Sequence, residues 1–535
     1  MTTGTTYPGV YVTESPGGTR TVSGVAMSIT AFVGRTRRGP VDRAVRVTTF
    51  ADYDKTFGGL WGASTVSAAV RDFFANGGGQ AVVVRIAPAG TGAAKTAKLT
   101  RTAGAPPAKA TKATATKDSP DLVLVAAEPG SWANGLTAEI SHDTTTDLDE
   151  VARRLGATSA DLFNLIVTDT ATGERETIRN VTTAAGSRRI DHVLEAESRL
   201  VRVADPDELP GVRPAETTAS APLAVATADR GDDGRDLTAD DYTAAALQTR
   251  HAGLYALDQV DLFNLLCVPP PVPGGDTPPA VYQAALSYCV QRRAMLIVDP
   301  PAAMTVQNAT ATLQSLDLTG PDSRNAALYF PRLLRPDPDA GGRLSAVTAS
   351  GAVAGAIART DAARGIWKAP AGLDVTLTGA TDLATGLTDA ENGLLNPLGV
   401  NCLRTFPGSG TVIWGARTLR GADQLGDEYK YVPVRRLALH IEETLFRGTR
   451  WVVFEPNDEP LWAQIRLSLG AFLQDLFRQG AFQGGTAREA YFVRCDAETT
   501  TAQDVAAGRV NIVVGFAPVR PAEFVVLRVQ QLAQA

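Results

Sequence analysis

Two short apolar runs constrain the fold of this chain most: ITAFV at Ile29–Val33 and AVVVRI at Ala81–Ile86. A strand with one wet face alternates apolar and polar residues. A run that is apolar throughout needs cover on both faces, the environment of a mainly parallel sheet with helices on either side. Between the two runs, Val66, Val70, Phe73 and Phe74 recur at helical spacing over Ser64–Asn76. Ser64 or Thr65 can cap that helix and Gly77 can end it. The layering returns further on, with a helix over Tyr242–Leu257, a strand at Asp261–Val268, a helix at Pro279–Arg293, and strands at Met295–Asp299 and Asn325–Pro331. The pattern predicts an α/β (α+β) multi-domain protein.

The last third carries the same signals. Ser350–Thr360 reads as a helix of small residues that packs closely. Val434–Arg447 is amphipathic and stops at Gly448, Trp451–Phe454 reads as a strand, and Pro460–Gln479 is a long helix. Leu461, Ile465, Leu469, Phe472, Leu473, Leu476 and Phe477 form the buried stripe of that helix. Strands follow at Tyr491–Cys495 and Asn511–Phe516. Between the first and middle α/β stretches the texture changes. Gly90–Lys117 is rich in small residues and lysine, has no acidic residue, and reads as a linker or long loop. Short strand signals at Asp121–Ala127, Leu136–His142, Leu162–Asp169, Glu176–Thr182 and Arg199–Ala204 suggest a small β-rich domain, interrupted by a helix at Leu148–Leu155. Asp229–Asp241, with Gly231 and Gly234, reads as a second linker.

At 535 residues the chain should form three or four compact units. Charged residues make up 20% and the formal net charge is −6, which argues against a protein whose main task is neutralising nucleic-acid phosphates. Five of the eight lysines lie between Lys95 and Lys117. Cys267, Cys289, Cys402 and Cys495 form no CxxC pair, so each is expected to be a small buried apolar residue in a reducing compartment. The opening MTTGTTYPG lacks a basic-then-apolar leader, and no segment approaches 18 uninterrupted apolar residues. A soluble product made in the cytoplasm is the expectation.

Motifs with chemistry are sparse. The chain has no GK dipeptide and hence no phosphate loop. Gly77-Gly78-Gly79 follows a helix, so it reads as a stop and not a dinucleotide turn. Gly408-Ser409-Gly410 lacks the spacing of a nucleophile elbow. His142, His192, His251 and His440 are isolated, whereas a zinc site needs two or more neighbouring ligands. Glu455, Asp458 and Glu459 cluster in FEPNDEP. Paired carboxylates can work as acid and base in hydrolysis, and Glu455 with Asp458 is the alternative this sequence offers to a structural role. The same acids sit before a helix, where Asn457 or Asp458 can cap. No cofactor or metal is expected.

Both ends of the chain carry strand-like segments set off by Gly and Pro. YPGVYV places Val10 and Val12 on one side and Tyr11 on the other, with Tyr7 leading in; Glu523–Val529 is apolar through Phe524, Val525, Val526, Leu527 and Val529. Such strands pair either with their own sheet edge or with a neighbouring subunit. Patterning alone leaves both open.

Longer blocks go beyond patterning. YPGVYVTE, SGVAMSITAFVGRTRRGP and AVRDFFANGGGQAVVVRI in the first 86 residues resemble the tail sheath proteins of contractile phages and phage-tail-like contractile injection systems. So do ARTDAARGIWKAPAG, LNPLGVNCLRTFPGSGTVIWGARTL, YKYVPVRRLALHIEETL, WVVFEPNDEPLW, EAYFVRCD and GFAPVRPAEFVVLRVQQ towards the other end. The resemblance spans about residues 7–87 and 345–531, and EPGSWANGL looks like the start of the family's inserted β-rich domain.

The resemblance implies a structural subunit and no enzyme, stacking as hexameric rings around an inner tube and contracting to drive the tube through a target envelope. It implies a strand arm at 1–20, a sheath core from 21–90 and 345–508, a β-rich outer domain at 91–235, a middle α/β domain at 236–344, and a C-terminal arm at 509–535. It turns the two end segments into strands donated between subunits, and Lys95–Lys117 into a solvated exit from the core. Its partners would be further copies of the chain, the inner tube protein, and baseplate and tail-terminator or cap proteins, with no nucleic acid and no direct membrane insertion. A tube-facing patch is expected on the long helix through Gln464, Arg466, Gln474, Asp475 and Arg478. The chain would be cytoplasmic on synthesis, then part of a phage virion or injection particle.

Overall fold

A computed structural model describes residues 22–101, 121–143, 148–155, 158–337 and 341–526. The chain divides into two compact units: Ser28–Arg359 with Pro370–Glu428, and Met1–Met27 with Thr360–Ala369 and Tyr429–Ala535.

The larger unit is built on an eight-stranded sheet. Across it run Gly410–Ile413, Val400–Phe406, Ala326–Phe330, Met295–Val298, Leu265–Cys267, Thr30–Gly34, Ala81–Arg85 and Ala44–Val47. The six inner strands are parallel and the two edge strands antiparallel. Thr30–Gly34 and Ala81–Arg85 are buried at every position, as runs without polar alternation require. The sheet grows both ways from Thr30–Gly34, with Ala81–Arg85 on one side and Leu265–Cys267 on the other. One sheet therefore takes strands from stretches that the sequence assigns to a first core part, a middle domain and a second core part. The boundaries at 90, 236 and 344 do not divide it.

The helix Thr65–Ala75 is capped by Ser64, whose hydroxyl accepts from the Ser67 N–H, and Gly77 follows with φ 101. The helix Ser350–Arg364 packs against it as its small residues predict. A Cβ on Gly351 would fall on the carbonyl of Ala69, and one on Gly355 on that of Phe73. Asp299, at the end of a parallel strand, accepts from the Ala349 and Ser350 N–H groups at 3.1 and 3.0 Å and so covers the start of this helix.

The same unit carries a seven-stranded antiparallel sheet, ordered Arg175–Val181, Phe163–Asp169, Leu136–Ser141, Leu223–Val225, Lys98–Arg101, Leu124–Ala126 and Val201–Val203. Leu136–Ser141 alternates buried and half-buried residues, the signature of one packed face. Two readings are corrected here. Lys98 belongs to a strand paired on both sides and not to a loop, although 102–120 lie outside the described residues. Asp229–Asp241 is no solvated linker: Arg35, itself buried, donates to the Asp233 carbonyl at 2.7 Å and to Asp236 at 3.2 Å. Arg85, also buried, donates to the Gly39 and Pro129 carbonyls at 2.8 and 2.7 Å. The helix expected over Tyr242–Leu257 is broken into Ala239–Thr243, Ala245–Arg250 and a 3₁₀ stretch Gly253–Gln259. His251 ends the second piece with φ 50.

The smaller unit packs the helices Val432–Gly448 and Glu459–Arg478 around Leu437, Ile441, Leu461, Ile465, Leu469 and Leu473. Arg436 and Asp361 form a fully buried pair at 2.8 and 2.5 Å, and Arg436 also donates to the Met27 carbonyl at 2.8 Å. The Val25 N–H donates to Thr444 at 3.3 Å, and Gly448 leaves room for Val22. Residues 22–27 are thus fastened along the helix Val432–Gly448. The strand expected at Trp451–Phe454 is absent: Arg450–Val452 is a 3₁₀ turn and Phe454 has φ 71.

Candidate functional site

The part of the smaller unit with unfilled bonding capacity is a two-stranded antiparallel sheet. Tyr491–Arg494 pairs with Val513–Phe516, Tyr491 opposite Phe516 and Arg494 opposite Val513. Tyr491–Arg494 alternates half-buried and exposed residues, whereas in Val513–Phe516 only Val513 is exposed. Among the described residues no third strand pairs with either edge. Two strands are the least a sheet can have, and open edges present unpaired N–H and C=O groups.

Immediately downstream the chain is anchored and then released. Glu523 accepts from the Tyr431 hydroxyl at 2.9 Å and lies 3.8 Å from the Lys430 ammonium. Beyond it Phe524, Val525 and Val526 are 72%, 79% and 78% exposed and form no strand. Leu527, Val529, Tyr7, Val10, Tyr11 and Val12 lie outside the described residues. An open sheet edge and an exposed apolar segment thus occur in one unit.

The long helix divides the five residues expected on a tube-facing patch. Gln464, Asp475 and Arg478 lie on its exposed face with Leu467 and Ala471. Arg466 instead holds Glu459 at 2.6 Å and the Cys495 carbonyl, and Gln474 accepts from the Tyr491 hydroxyl at 2.8 Å. These two side chains fasten the helix to the two-stranded sheet.

The acidic cluster shows capping geometry. Asp458 is the N-cap of the long helix and accepts from the Leu461 N–H at 3.3 Å. Asn457 accepts from the Trp462 indole at 2.9 Å and donates to the Arg509 carbonyl at 2.9 Å. Glu455 is exposed, in the turn before the cap. Among the described residues no group of three His, Cys, Asp or Glu side chains could hold a metal ion. All four cysteines are free and buried. His440 is buried against Phe472, and burial, with Arg436 nearby, pushes its imidazole down to about 4. No helix among the described residues is long and apolar enough to cross a membrane.

Sequence reading missed the tip Val453–Phe454, whose apolar side chains stand out in solvent where a strand was expected. The signal was present in Pro456 and Asn457, turn residues that break the run directly before the Asp458 cap.

The profile of the phage tail sheath protein central domain matches residues 236–419, and that of the phage tail sheath C-terminal domain matches 425–531. The tail sheath protein of Vibrio phage KVP40 is 29% identical over 131 residues, which is 24% of this chain and 19% of that relative. The chain thus spans about a fifth of the length of that curated relative. The sheath complex of an extracellular contractile injection system, PVC, in its contracted state has a TM-score of 0.57 at 22% identity, covering 99% of each chain. A chain of the anti-feeding prophage baseplate, 6-fold symmetrised, has a TM-score of 0.55 at 23% identity, covering 98% of this chain and 99% of that one. At these identities the structures share the fold. Because the two profiles together take in just over half of the residues, the chain belongs to the phage tail sheath family.

Proposed function

We propose that this chain is the structural subunit of a contractile sheath, polymerising as stacked hexameric rings around an inner tube and shortening to drive that tube through a target envelope. The observation that carries the reading is the open pair Tyr491–Arg494 and Val513–Phe516 in the same unit as the exposed run Phe524–Val526. Donor and acceptor on one chain make a polymer when each copy gives its end segment to the next. Backbone pairing suits joints that must survive a rearrangement, because its strength does not depend on one side-chain packing. The N-terminal arm, with Tyr7, Val10, Tyr11 and Val12, would add a further strand. Residues 22–27, held by Arg436 and Thr444, would fix where it leaves the core.

The rings would stand on a baseplate, and the sixfold symmetry of the related anti-feeding prophage baseplate supports a hexamer. The exposed residues Gln464, Asp475 and Arg478 would face the tube, with Arg466 and Gln474 holding that helix in place. The seven-stranded sheet would lie on the outside of the particle. A cap protein would close the far end. No nucleic acid or membrane insertion enters this assembly, which would form in the cytoplasm. A hydrolytic role for Glu455 and Asp458 has no support in the capping geometry, and the subunit is read as non-enzymatic. The direct test is negative-stain microscopy of the purified chain. Tubes or cogwheel-like rings are expected, and a lasting monodisperse monomer would overturn the reading.

A further inference from the structure

The helix Val432–Gly448 carries a stripe at four-residue spacing, Arg436, His440, Thr444 and Gly448, which falls on one face. All four meet residues 22–27. Arg436 donates to the Met27 carbonyl at 2.8 Å, and Thr444 accepts from the Val25 N–H at 3.3 Å. Val22 lies against Gly448, and Gly24 lies against His440: a Cβ on Gly24 would stand 3.5 Å from the imidazole Nε2 and 3.7 Å from the Phe472 ring. Residues 22–27 form no helix or strand and carry no charged side chain. His440 is buried beneath them, with Phe472 of the long helix on its other side.

The ring has no place for a second proton. Its Nδ1 is buried and has no hydrogen-bond partner among the described residues. An imidazolium has two N–H donors and a full charge, and a buried charge without partners is costly. The charged groups around it offer little relief. Arg436, one turn earlier, is itself a cation. Asp361, from the stretch Thr360–Ala369, accepts from Arg436 with both carboxylate oxygens, at 2.8 and 2.5 Å. Glu443 is held by Arg447 at 2.5 Å. Burial, then Arg436, outweigh Asp361 and hold the imidazole down at about 4.

We propose that acid unfastens residues 22–27 from the helix Val432–Gly448, and that His440 is the group whose protonation does it. Lifting the segment brings water to the imidazole, so the open form takes up a proton near pH 6.5 that the closed form refuses until about 4. The segment is shut above pH 6.5. Below it, opening becomes about tenfold easier for each pH unit and levels off near 4. Arg436 keeps Asp361 when the Met27 carbonyl leaves, so the opening strands no buried charge. In a sheath the same event would free the root of the N-terminal arm. That consequence rests on the sheath reading above, whereas the release itself does not.

Backbone amide exchange followed by mass spectrometry on the purified full chain reads the release alone, at pH 7 and 4.5 and corrected for the intrinsic pH dependence of exchange. In the wild type the opening of residues 22–27 should rise about fiftyfold between the two values, the ratio set by a proton site that moves from 4 to 6.5. His440→Gln should make the opening independent of pH. His440→Phe should do the same with no polar group in the core, which covers the case of a glutamine variant that does not fold. Thr30–Gly34 and the long helix Glu459–Arg478 should stay protected throughout. An equal rise in the variants, or a wild-type segment that stays shut at pH 4.5, would overturn the proposal. So would loss of protection over the long helix together with the segment, since the whole unit would then be opening.

Discussion

Glycine 351 and glycine 355 show what a single missing methyl group permits. They let the helix Ser350–Arg364 approach the backbone of Thr65–Ala75 until carbonyls occupy the space a Cβ would need. Gly351→Val should therefore cost more than the usual 1–3 kcal/mol of overpacking and give insoluble chain on expression, checked by the soluble fraction and by urea unfolding of what remains. The small-residue helix was legible in the sequence because close packing leaves a compositional trace. The role of Asp299 in covering its start was not, since the acid precedes the helix by some fifty residues and only the fold brings them together. His440 makes a second prediction. Its imidazole titrates near 4 in the fold and near 6.5 when unfolded, so the folded state prefers the neutral ring. That stability is present above pH 6.5 and is lost as pH falls through 4. Between pH 7 and 4.5 the wild type should lose roughly 2 kcal/mol more than His440→Gln, measured by urea titration at both values.

Elements were legible wherever the apolar pattern and the local ends agreed. The long helix was found nearly to the residue because its stripe, its Asp458 cap and Gly480 all fall in place. Replacing Asp458 with Ala should lower stability by about 1 kcal/mol, without loss of any catalytic signal. Assembly by Glu455→Gln should match the wild type, and hydrolysis lost with that substitution would bring the enzyme reading back. Trp451–Phe454 misled for a physical reason: four residues with strong strand preference have no neighbouring strand to pair with, and propensity without a partner does not make a sheet. The opposite error hid Lys98–Arg101, whose composition is that of a loop but whose two neighbours supply its hydrogen bonds. The end segments were visible as apolar runs, yet the open sheet edge was not, because Tyr491 and Phe516 become neighbours only through the fold. Deleting the chain after Pro521 should leave a soluble folded monomer with the wild-type circular dichroism spectrum and abolish ordered polymer. Normal sheaths from that truncation would remove strand donation from the account.

At the scale of the molecule, alternation of strands and helices identified the fold class but not the way distant segments share one sheet. Strands from 30–85, 265–330 and 400–413 lie side by side, and nothing in local sequence fixes that order. The seven-stranded sheet was expected to hang from linkers. Buried Arg35 and Arg85 instead fasten it to its surroundings within the larger unit. Arg85→Ala should leave the Gly39 and Pro129 carbonyls without their donor and loosen this junction, seen as faster backbone amide exchange around 128–131 with the central sheet unchanged. The division of the chain has one more consequence, which concerns timing. The larger unit has all its residues once Glu428 is made, whereas the smaller one needs Tyr429 onward to complete what Met27 and Thr360–Ala369 begin. On the ribosome the open edge and the exposed run Phe524–Val526 would thus come into being only after the larger unit has all its residues. In a nascent chain of this design, any joint made through them would wait for that larger unit.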